Sequence, residues 1–346
     1  MKIIDLRSDT VTLPTSAMRE AIYRTELGDD VFGEDPTVNR LEKMAAERVG
    51  KEAAVLVASG TMGNLVCALT HCSRGEEAIL GDQSHTFLYE AGGMSAVGGI
   101  HPHTVRNQPD GTMRLEDIKA AIRGDGLHFP RTRLICLENT HNRCDGAALT
   151  PEYTNAVVAL AKEHGLSVHL DGARVFNAAV ALGVDVRELT RGADSLSFCL
   201  SKGLSAPVGS VVCGCREFIA EARRTRKVLG GGMRQAGIIA AAGIVALQQM
   251  VDRIVEDHKN ARRLAEGIAR IRGLSIEPAR VQTNIIYFEV AEEWLTAKKL
   301  VTELDKRGIK LLCVGPSRLR MVTHYGISSE DVDLALAALT EVMANV

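Results

Sequence analysis

The chain has 346 residues, of which 46% are hydrophobic and 24% charged, and its formal net charge is -2. This length allows one large domain plus a smaller one, and the composition is that of a folded globular protein. No long run of Lys and Arg occurs in the sequence. The composition therefore argues against a nucleic-acid or anionic-membrane partner and favours a small molecule.

Two features of the sequence bear on the location of the protein. Residues 1–10 contain no hydrophobic segment of signal-peptide length, and the weakly polar stretch 236–247 is too short to cross a bilayer. We therefore expect a cytoplasmic protein without a membrane partner.

The cysteine pattern predicts neither a disulfide framework nor a metal site. The eight cysteines are Cys67, Cys72, Cys136, Cys144, Cys199, Cys213, Cys215 and Cys313. They form no CxxC pair, so we interpret nearly all of them as reduced thiols used as small apolar side chains. Cys213 and Cys215 form a CxC in a predicted strand, which would place both on one face, but no second pair completes a zinc site.

Short β-rich runs, several of them separated by helical patterns or turn signals, occupy residues 53–213. The runs cover residues 53–58, 132–138, 166–171, 194–199 and 209–213. Several are apolar on both faces, as is typical of strands in a mostly parallel sheet that helices cover. The predicted fold class is α/β, with three layers and a mostly parallel sheet.

The pattern changes near residue 253. A long helical pattern runs to residue 271, followed by a strand at 284–290, a helix around 294–307, strands near 309–314 and 319–323, and a closing helix from 328. This order predicts a smaller α+β domain. We therefore divide the chain into a large domain at 1–252, which includes the N-terminal segment, and a small C-terminal domain at 253–346.

Ligands of open α/β sheets bind beyond the carboxyl ends of the strands, so residues that follow the runs are candidates for a site. Ser59, Gly60 and Thr61 follow the run 53–58 and begin a helical pattern. Helix-start amides and hydroxyls suit a phosphate. The spacing matches neither GxGxxG nor GxxxxGK[ST], and the same residues are equally consistent with a simple helix cap.

Asp171 and Lys202 each follow a predicted buried strand, and Arg174 comes within a turn of Asp171. Taken singly, the acid could be a helix cap and the lysine could reach into solvent. Pyridoxal phosphate requires such a set together: a lysine for a Schiff base, a carboxylate for the ring nitrogen, and helix-start donors for the phosphate. His85, in DQSHTFLYE, is a candidate to stack on the ring.

Several longer sequence motifs, called phrases below, are typical of one enzyme family. They are IDLRSDTVTLPT, GDDVFGEDPTVNRLE, SGTMGN, LENTHN, VHLDGARVFNA, SFCLSKGLSAPVGS, GGGMRQAGI and LRMVTH. With these phrases the chain resembles the low-specificity L-threonine aldolases, pyridoxal-phosphate enzymes of the aspartate-aminotransferase fold (fold type I). The resemblance runs from the first phrase to the C-terminus.

The resemblance implies a role for each matching residue. Lys202 matches the Schiff-base lysine, Asp171 the partner of the pyridinium nitrogen, Arg174 a ligand of the ring oxygen or substrate carboxylate, and Ser59, Gly60 and Thr61 the phosphate cradle. His85 matches the histidine stacked on the ring, His128 a second active-site histidine, and Ser8 and Arg320 the residues that hold the substrate carboxylate. Phe32 departs from the tyrosine that other members often have in the corresponding VYGEDP phrase.

The implied reaction is reversible aldol cleavage of L-threonine or L-allo-threonine to glycine and acetaldehyde. Glycine hydroxymethyl transfer, racemisation and a non-catalytic cofactor-binding role are the alternatives. The base that takes the β-hydroxyl proton is His85, His128 or a water held by the phosphate. The family also implies a homotetramer, a dimer of dimers with shared active sites.

The glycines of GGGMRQ, residues 230–235, leave two interpretations open. They could form a flexible connector, or they could let the backbone approach another chain closely. In the second case Arg234 would face the cofactor phosphate of a neighbouring subunit, which is the hypothesis we adopt.

Overall fold

The computed structural model describes residues 2–292 and 295–345. The strands are β1 (Ile4–Asp5), β2 (Ala53–Val57), β3 (Glu77–Gly81), β4 (His101–Val105), β5 (Thr132–Glu138), β6 (Ser167–Asp171), β7 (Ser195–Cys199), β8 (Ser210–Gly214), β9 (Leu274–Ser275), β10 (Ile285–Val290), β11 (Ile309–Lys310), β12 (Leu312–Cys313) and β13 (Arg318–Val322). The helices are α1 (Ser16–Arg24), α2 (Pro36–Val49), α3 (Gly60–His71), α4 (His85–Leu88), α5 (Gly93–Ala96), α6 (Leu115–Ala121), α7 (Pro151–Glu163), α8 (Val175–Leu182), α9 (Val186–Thr190), α10 (Arg216–Val228), α11 (Gly237–Val245), α12 (Ile254–Ile268), α13 (Ala297–Asp305) and α14 (Ser329–Asn345).

A seven-stranded sheet forms the centre of the molecule, in the order β2-β8-β7-β6-β5-β3-β4. All neighbouring pairs are parallel except those of β8, which is antiparallel to both β2 and β7. One face packs on α3 and α10 through Val55, Val57 and Val212. The other face packs on α2 through residues such as Leu56 and Leu41. The predicted α/β class, with three layers and a mostly parallel sheet, is confirmed.

The direction of the strands places their carboxyl ends at one edge of this sheet. Because β8 is antiparallel to both its neighbours, β2 runs in the same direction as β7, β6, β5 and β3. The loops that follow these strands therefore share one rim. This rim carries the residues that the sequence predicts to form a site.

The residues after position 253 build a second sheet and a second buried core. The order β12-β13-β10-β9 is antiparallel, and α12, α13 and α14 supply much of its core. The predicted helix around 294–307 is observed from Ala297; Trp294 lies outside the described residues. The single strand predicted at 309–314 is two short strands, because β11 pairs with β1 whereas β12 pairs with β13.

The domain division at residue 253 stays a prediction. The two largest buried clusters separate near that position, but Ile4 and Leu6 belong to the C-terminal cluster. They do so because β1 pairs in parallel with β11.

The described cysteines are all free thiols, and six of the eight are buried. The CxC prediction was wrong in one respect. Strand β8 ends at Gly214, so Cys215 is not on the strand face of Cys213 but is the exposed cap of α10, where its Sγ accepts from the amide of Phe218 at 3.5 Å.

Within the described ranges, no single helix is long and apolar enough to cross a membrane. The helices Gly237–Met250 and Ile254–Ile268, which are bent by 67° at their junction, are together long and apolar enough, judged by length and composition alone.

Candidate active site

A cavity of about 310 Å³ opens at the carboxyl rim of the central sheet. Its lining residues are Ser8, Thr10, His85, Tyr89, Asn142, Arg143, Arg174, Lys202, Tyr287, Leu312, Val314 and Arg320. They come from segments that are far apart in the sequence. Of the residues that the sequence analysis selected, Ser8, His85, Arg174, Lys202 and Arg320 meet here.

Lys202 lies three residues beyond the end of β7, in a turn that hydrogen bonds hold in place. Its carbonyl accepts from the amide of Ser205 at 2.8 Å and from the hydroxyl of Thr12 at 3.1 Å. The side chain is half-buried and lines the cavity. A lysine amine on a fixed turn beside an enclosed volume is suited to bind a carbonyl compound covalently.

Asp171 is the last residue of β6, and its carboxylate is 5% exposed. Its Oδ2 accepts from Nδ2 of Asn64 at 2.8 Å, and its Oδ1 accepts from the amide of Ala173 at 3.1 Å. The same Asn64 nitrogen donates to Glu90 at 2.8 Å, and Glu90 Oε1 lies 2.9 Å from Nδ1 of His85. Asp171 and His85 are thus joined through two buried side chains.

His85 begins α4, and neighbouring carboxylates fix both its backbone and its ring. The amide of His85 donates to Glu138, the last residue of β5, at 2.6 Å. Burial disfavours a charged imidazole, but the hydrogen bond to Glu90 and the charge of Asp171 outweigh it, so the pKa of His85 is raised. An imidazole held in this way can exchange protons near neutral pH.

Arg174 follows Asp171 at the start of α8 and is paired with Asp9. No sequence motif pointed to a role for Asp9. Burial opposes the charge of Asp9, but Arg174 outweighs it and holds the pKa of Asp9 well below its usual range. Asn284 also donates to Asp9, at 3.3 Å. This pairing fixes the position of the Arg174 guanidinium at the cavity wall.

Arg320, on β13, brings a cation into the cavity from the second sheet. It is 7% exposed and donates to the carbonyl of Arg7 at 3.1 Å and to Asn142 Oδ1 at 2.9 Å. Within the described part of the chain, the buried Nε atoms of Arg320 and Arg143 have no hydrogen-bond partner. Such donors in a cavity fit a carboxylate ligand.

Ser59, Gly60 and Thr61 are placed at the start of α3, directly after β2. Ser59 is the N-cap, and its Oγ accepts from the amide of Met62 at 3.2 Å, so the cap interpretation holds. A Cβ added to Gly60 would lie 2.9 Å from Sγ of Cys199, the last residue of β7, so only glycine lets the helix start approach this strand end. The first amides of a helix have no partner within it, which leaves them available to a phosphate.

Besides Asp171 and residues 59–61, which lie at the rim without lining the cavity, three other residues from the sequence analysis do not line it either. His128 is exposed in the loop 124–129, and Phe32 is exposed on the turn Asp30–Phe32. Arg234 is 54% exposed and forms an ion pair with Asp29 at 3.0 Å. The hypothesis that Arg234 faces the cofactor phosphate of a neighbouring subunit therefore requires that a second chain cover this surface.

The chain is similar to known proteins over most of its length. A family model for beta-eliminating lyases matches residues 5–291. The low-specificity L-threonine aldolase 1 of Arabidopsis thaliana is 51% identical over 347 residues, which cover 99% of this chain and 97% of that protein. The low specificity L-threonine aldolase of Escherichia coli (strain K12) is 46% identical, covering 95% and 96% respectively.

The chain belongs to the low-specificity L-threonine aldolases, within the beta-eliminating lyase family. The resemblance inferred from the sequence phrases is therefore confirmed. Among solved structures, the threonine aldolase of Leishmania major has a TM-score of 0.83 at 19% identity, covering 97% of this chain and 98% of that one. The Sphingomonas wittichii serine palmitoyltransferase has a TM-score of 0.78 at 18% identity, covering 99% and 88%. These two likenesses show the shared fold.

For a member of this family, the residues around the cavity fit pyridoxal phosphate. The donor set contains a lysine amine, a buried carboxylate and the free end of a helix. These are the three groups that the cofactor requires for its aldehyde, ring nitrogen and phosphate. The unpaired guanidinium nitrogens of Arg320 and Arg143 add a place for the carboxylate of an amino acid.

Proposed function

We propose that this protein is a pyridoxal-phosphate-dependent aldolase that cleaves L-threonine, L-allo-threonine and related β-hydroxy-α-amino acids to glycine and an aldehyde. The observation that carries the proposal is the meeting of Lys202, Arg174 and Arg320 around one cavity, with Asp171 buried beside it. Family membership supports the same reaction, since relatives that are 46% and 51% identical are named threonine aldolases.

The arrangement of residues at the rim supports an assignment of the residues that would hold the cofactor. Lys202 would bind the aldehyde carbon covalently, Asp171 would accept from the ring nitrogen, and the start of α3 at Ser59, Gly60 and Thr61 would receive the phosphate. His85 would stack on the ring, and Arg174 would hold the ring oxygen or the substrate carboxylate. When bound, pyridoxal phosphate accepts the electron pair that is released as the Cα–Cβ bond breaks.

The substrate is oriented by its carboxylate. Arg320 and Ser8 hold this group, so that the Cα–Cβ bond is the one aligned for cleavage. A base removes the proton of the β-hydroxyl group, the Cα–Cβ bond breaks, and acetaldehyde leaves when the substrate is threonine. A proton then returns to Cα, and glycine is the second product.

The identity of the base is a choice between His85, His128 and a bound water. His85 is supported by its position in the cavity and its hydrogen bond to Glu90. Because His128 is exposed in this chain, we infer that it reaches a substrate only in an assembly.

We also infer a cytoplasmic homotetramer, a dimer of dimers with shared active sites. In this arrangement Arg234, which is exposed here, faces the cofactor phosphate of a neighbouring subunit. We keep the division into a large domain at 1–252 and a small domain at 253–346 as part of this proposal. It is supported by the separation of the two main buried clusters.

The experiment that tests the reaction is aldehyde release by purified protein loaded with pyridoxal phosphate. We expect one molecule of glycine for each molecule of acetaldehyde, from L-allo-threonine and from L-threonine. K202A should release no aldehyde. Formation of serine from glycine only with a folate donor would indicate glycine hydroxymethyl transfer. Inversion at Cα without aldehyde would indicate racemisation, and either result would refute the aldolase proposal.

A further inference from the structure

A buried polar strip lies between α3 and the central sheet. On β6 and β7, His169 is paired with Ser195 and Asp171 with Ser197, so all four side chains lie on the same sheet face. Asn64 reaches this strip from α3 through hydrogen bonds to Asp171, His169 and Ser197. Each of the five is at most 5% exposed. Most buried polar groups in folded proteins are hydrogen-bonded, and the donor and acceptor chemistry of these side chains indicates the direction of each bond.

The orientation of the Asn64 amide follows from its two acidic neighbours. Asp171 Oδ2 and Glu90 Oε1 both lie 2.8 Å from Nδ2 of Asn64. A carboxylate only accepts, so the amide nitrogen must face them and Oδ1 must face the sheet. There Oδ1 accepts from the hydroxyl of Ser197 at 2.7 Å and from Nε2 of His169 at 3.2 Å.

This orientation of the Asn64 amide implies a tautomer for each of two histidines. His169 must carry its proton on Nε2, so its Nδ1 accepts from the hydroxyl of Ser195 at 3.0 Å. That hydroxyl in turn accepts from Nε2 of His71 at 2.8 Å. Burial lowers the pKa of both His169 and His71 to about 4, which keeps both rings neutral near pH 7. The donors therefore run in one direction, from His71 to the two carboxylates.

We propose that Asn64 and His169 are positioning residues of the aldolase site, which together fix the carboxylates of Asp171 and Glu90 and, through Glu90, the imidazole of His85. This inference rests on the proposed function, because Asp171 and His85 act on bound cofactor and substrate. Asn64 connects both arms: one leads to the cofactor partner Asp171 and the other to the candidate base His85. His169 acts through Asn64, since it contacts neither carboxylate in the hydrogen bonds described.

The first test measures cofactor affinity rather than activity. Apo protein is titrated with pyridoxal phosphate by equilibrium dialysis for the wild type, H169L, H169Q and N64A. We expect H169L and N64A to weaken binding about tenfold, because the amide that holds Asp171 loses its orientation in the first variant and is removed in the second. H169Q keeps an N–H donor and should recover most of the affinity. The matched control H164L changes an exposed histidine at the end of α7 and should bind as the wild type does.

A double-mutant cycle separates positioning through Asn64 from a general loss of packing. If His169 acts through Asn64, the double variant N64A/H169L binds the cofactor no more weakly than N64A alone. The visible absorption maximum of the bound cofactor should also shift in H169L and N64A and remain unchanged in H164L. Additive losses, or wild-type affinity and spectrum in H169L, would overturn the proposal.

A measurement on unaltered protein remains decisive should H169L fail to fold. In ¹⁵N-histidine-labelled protein at pH 7, with H169Q used to assign the signal, we expect a neutral His169 with its proton on Nε2. An imidazolium or the Nδ1–H tautomer would overturn the direction of the chain. Failure of the aldolase proposal is recognised separately, because the wild type itself would then bind no cofactor or release no aldehyde.

Discussion

Arg174 and Asp9 form a two-pronged ion pair inside the protein. The Nε–Oδ2 and Nη2–Oδ1 distances are both 2.6 Å, and the side chains are 5% and 0% exposed. The pair joins the N-terminal segment to the start of α8, and Asp9 uses both of its oxygens in it. Asp9 therefore fixes the orientation of the Arg174 guanidinium before any substrate binds to it.

Removing the charge of Asp9 should destabilise the fold strongly. In D9N the Arg174 cation stays buried without its counter-charge, for which we expect a loss of about 3 to 5 kcal/mol in the free energy of unfolding. Urea unfolding of apo protein measures this. The control D5N breaks the more exposed pair with Arg7, whose worth is under about 1 kcal/mol because solvent screens it. Equal losses in the two variants would contradict the importance of the buried pair.

Lys202 should be the site of covalent cofactor attachment. After reduction of the loaded protein with borohydride, we expect the wild type to carry the cofactor on the peptide that contains Lys202. K202A should carry no stoichiometric label and should lose the visible absorption of bound cofactor. The control K162A changes an exposed lysine of α7 and should be labelled as the wild type is. Stoichiometric labelling of K202A would show that another lysine is the attachment site.

Replacing Arg320 by lysine should separate substrate binding from catalysis. R320K keeps the positive charge but loses the planar fork that suits a carboxylate, so KM for L-allo-threonine should rise about tenfold with a smaller change in kcat. Steady-state kinetics over a range of substrate concentrations measures both constants. R263K, at an exposed pair with Asp333, is the control and should leave them unchanged. An unaltered KM in R320K would place the substrate carboxylate elsewhere.

The sequence was sufficient to predict the parts of the site that lie at strand ends. Asp171 and Lys202 follow apolar runs, and the direction of parallel strands brings such residues to one rim. The edge strand β4 was missed because HPHTV is polar and mostly not buried. Asp9 was missed as well, since its role arises from a pairing with a residue 165 positions away.

The sequence contains a pattern that indicates the polar strip under α3, but we did not use this pattern in predicting β6 and β7. Residues 169 and 171, and again 195 and 197, are polar at alternate positions inside otherwise apolar strands. Such a period of two, in a strand that helices cover, indicates polar groups on one buried face. The local pattern does not show which face of the sheet these groups occupy, nor that Asn64 on α3 contacts them. Both depend on tertiary packing.

His169 should contribute to the sensitivity of the fold to acid. Its pKa is lowered to about 4 by burial, whereas an unfolded histidine titrates near about 6.5. Between these values only the unfolded state binds the proton, so this group makes the folded state less stable as pH falls. We therefore measure the free energy of unfolding of H169Q with urea between pH 6.5 and 4. Its slope against pH should be smaller than that of the wild type, by the equivalent of about one bound proton. An unchanged slope would mean that His169 is charged in the folded protein.

The last prediction concerns Glu90 and the base that takes the β-hydroxyl proton. The hydrogen bond to Glu90 raises the pKa of His85 against the effect of burial, so the uncharged variant E90Q should lower that pKa. A base must be neutral to accept a proton, so activity rises with pH through the pKa of His85. The acid limb of kcat/KM for L-allo-threonine should therefore move to lower pH in E90Q.

Two further variants distinguish His85 from the other candidate bases. H85N should weaken cofactor binding and alter the preference between L-threonine and L-allo-threonine, because one isomer loses its base while the other does not. H128N should change the rate and the stereopreference with cofactor affinity largely intact. E163Q, which changes an exposed glutamate of α7, controls for the loss of a carboxylate. If the acid limb stays in place in E90Q, and H85N and H128N both keep wild-type rates for both isomers around pH 6.5, neither histidine is the base. A water held by the cofactor phosphate then takes the proton, and Glu90 serves only to orient the ring of His85.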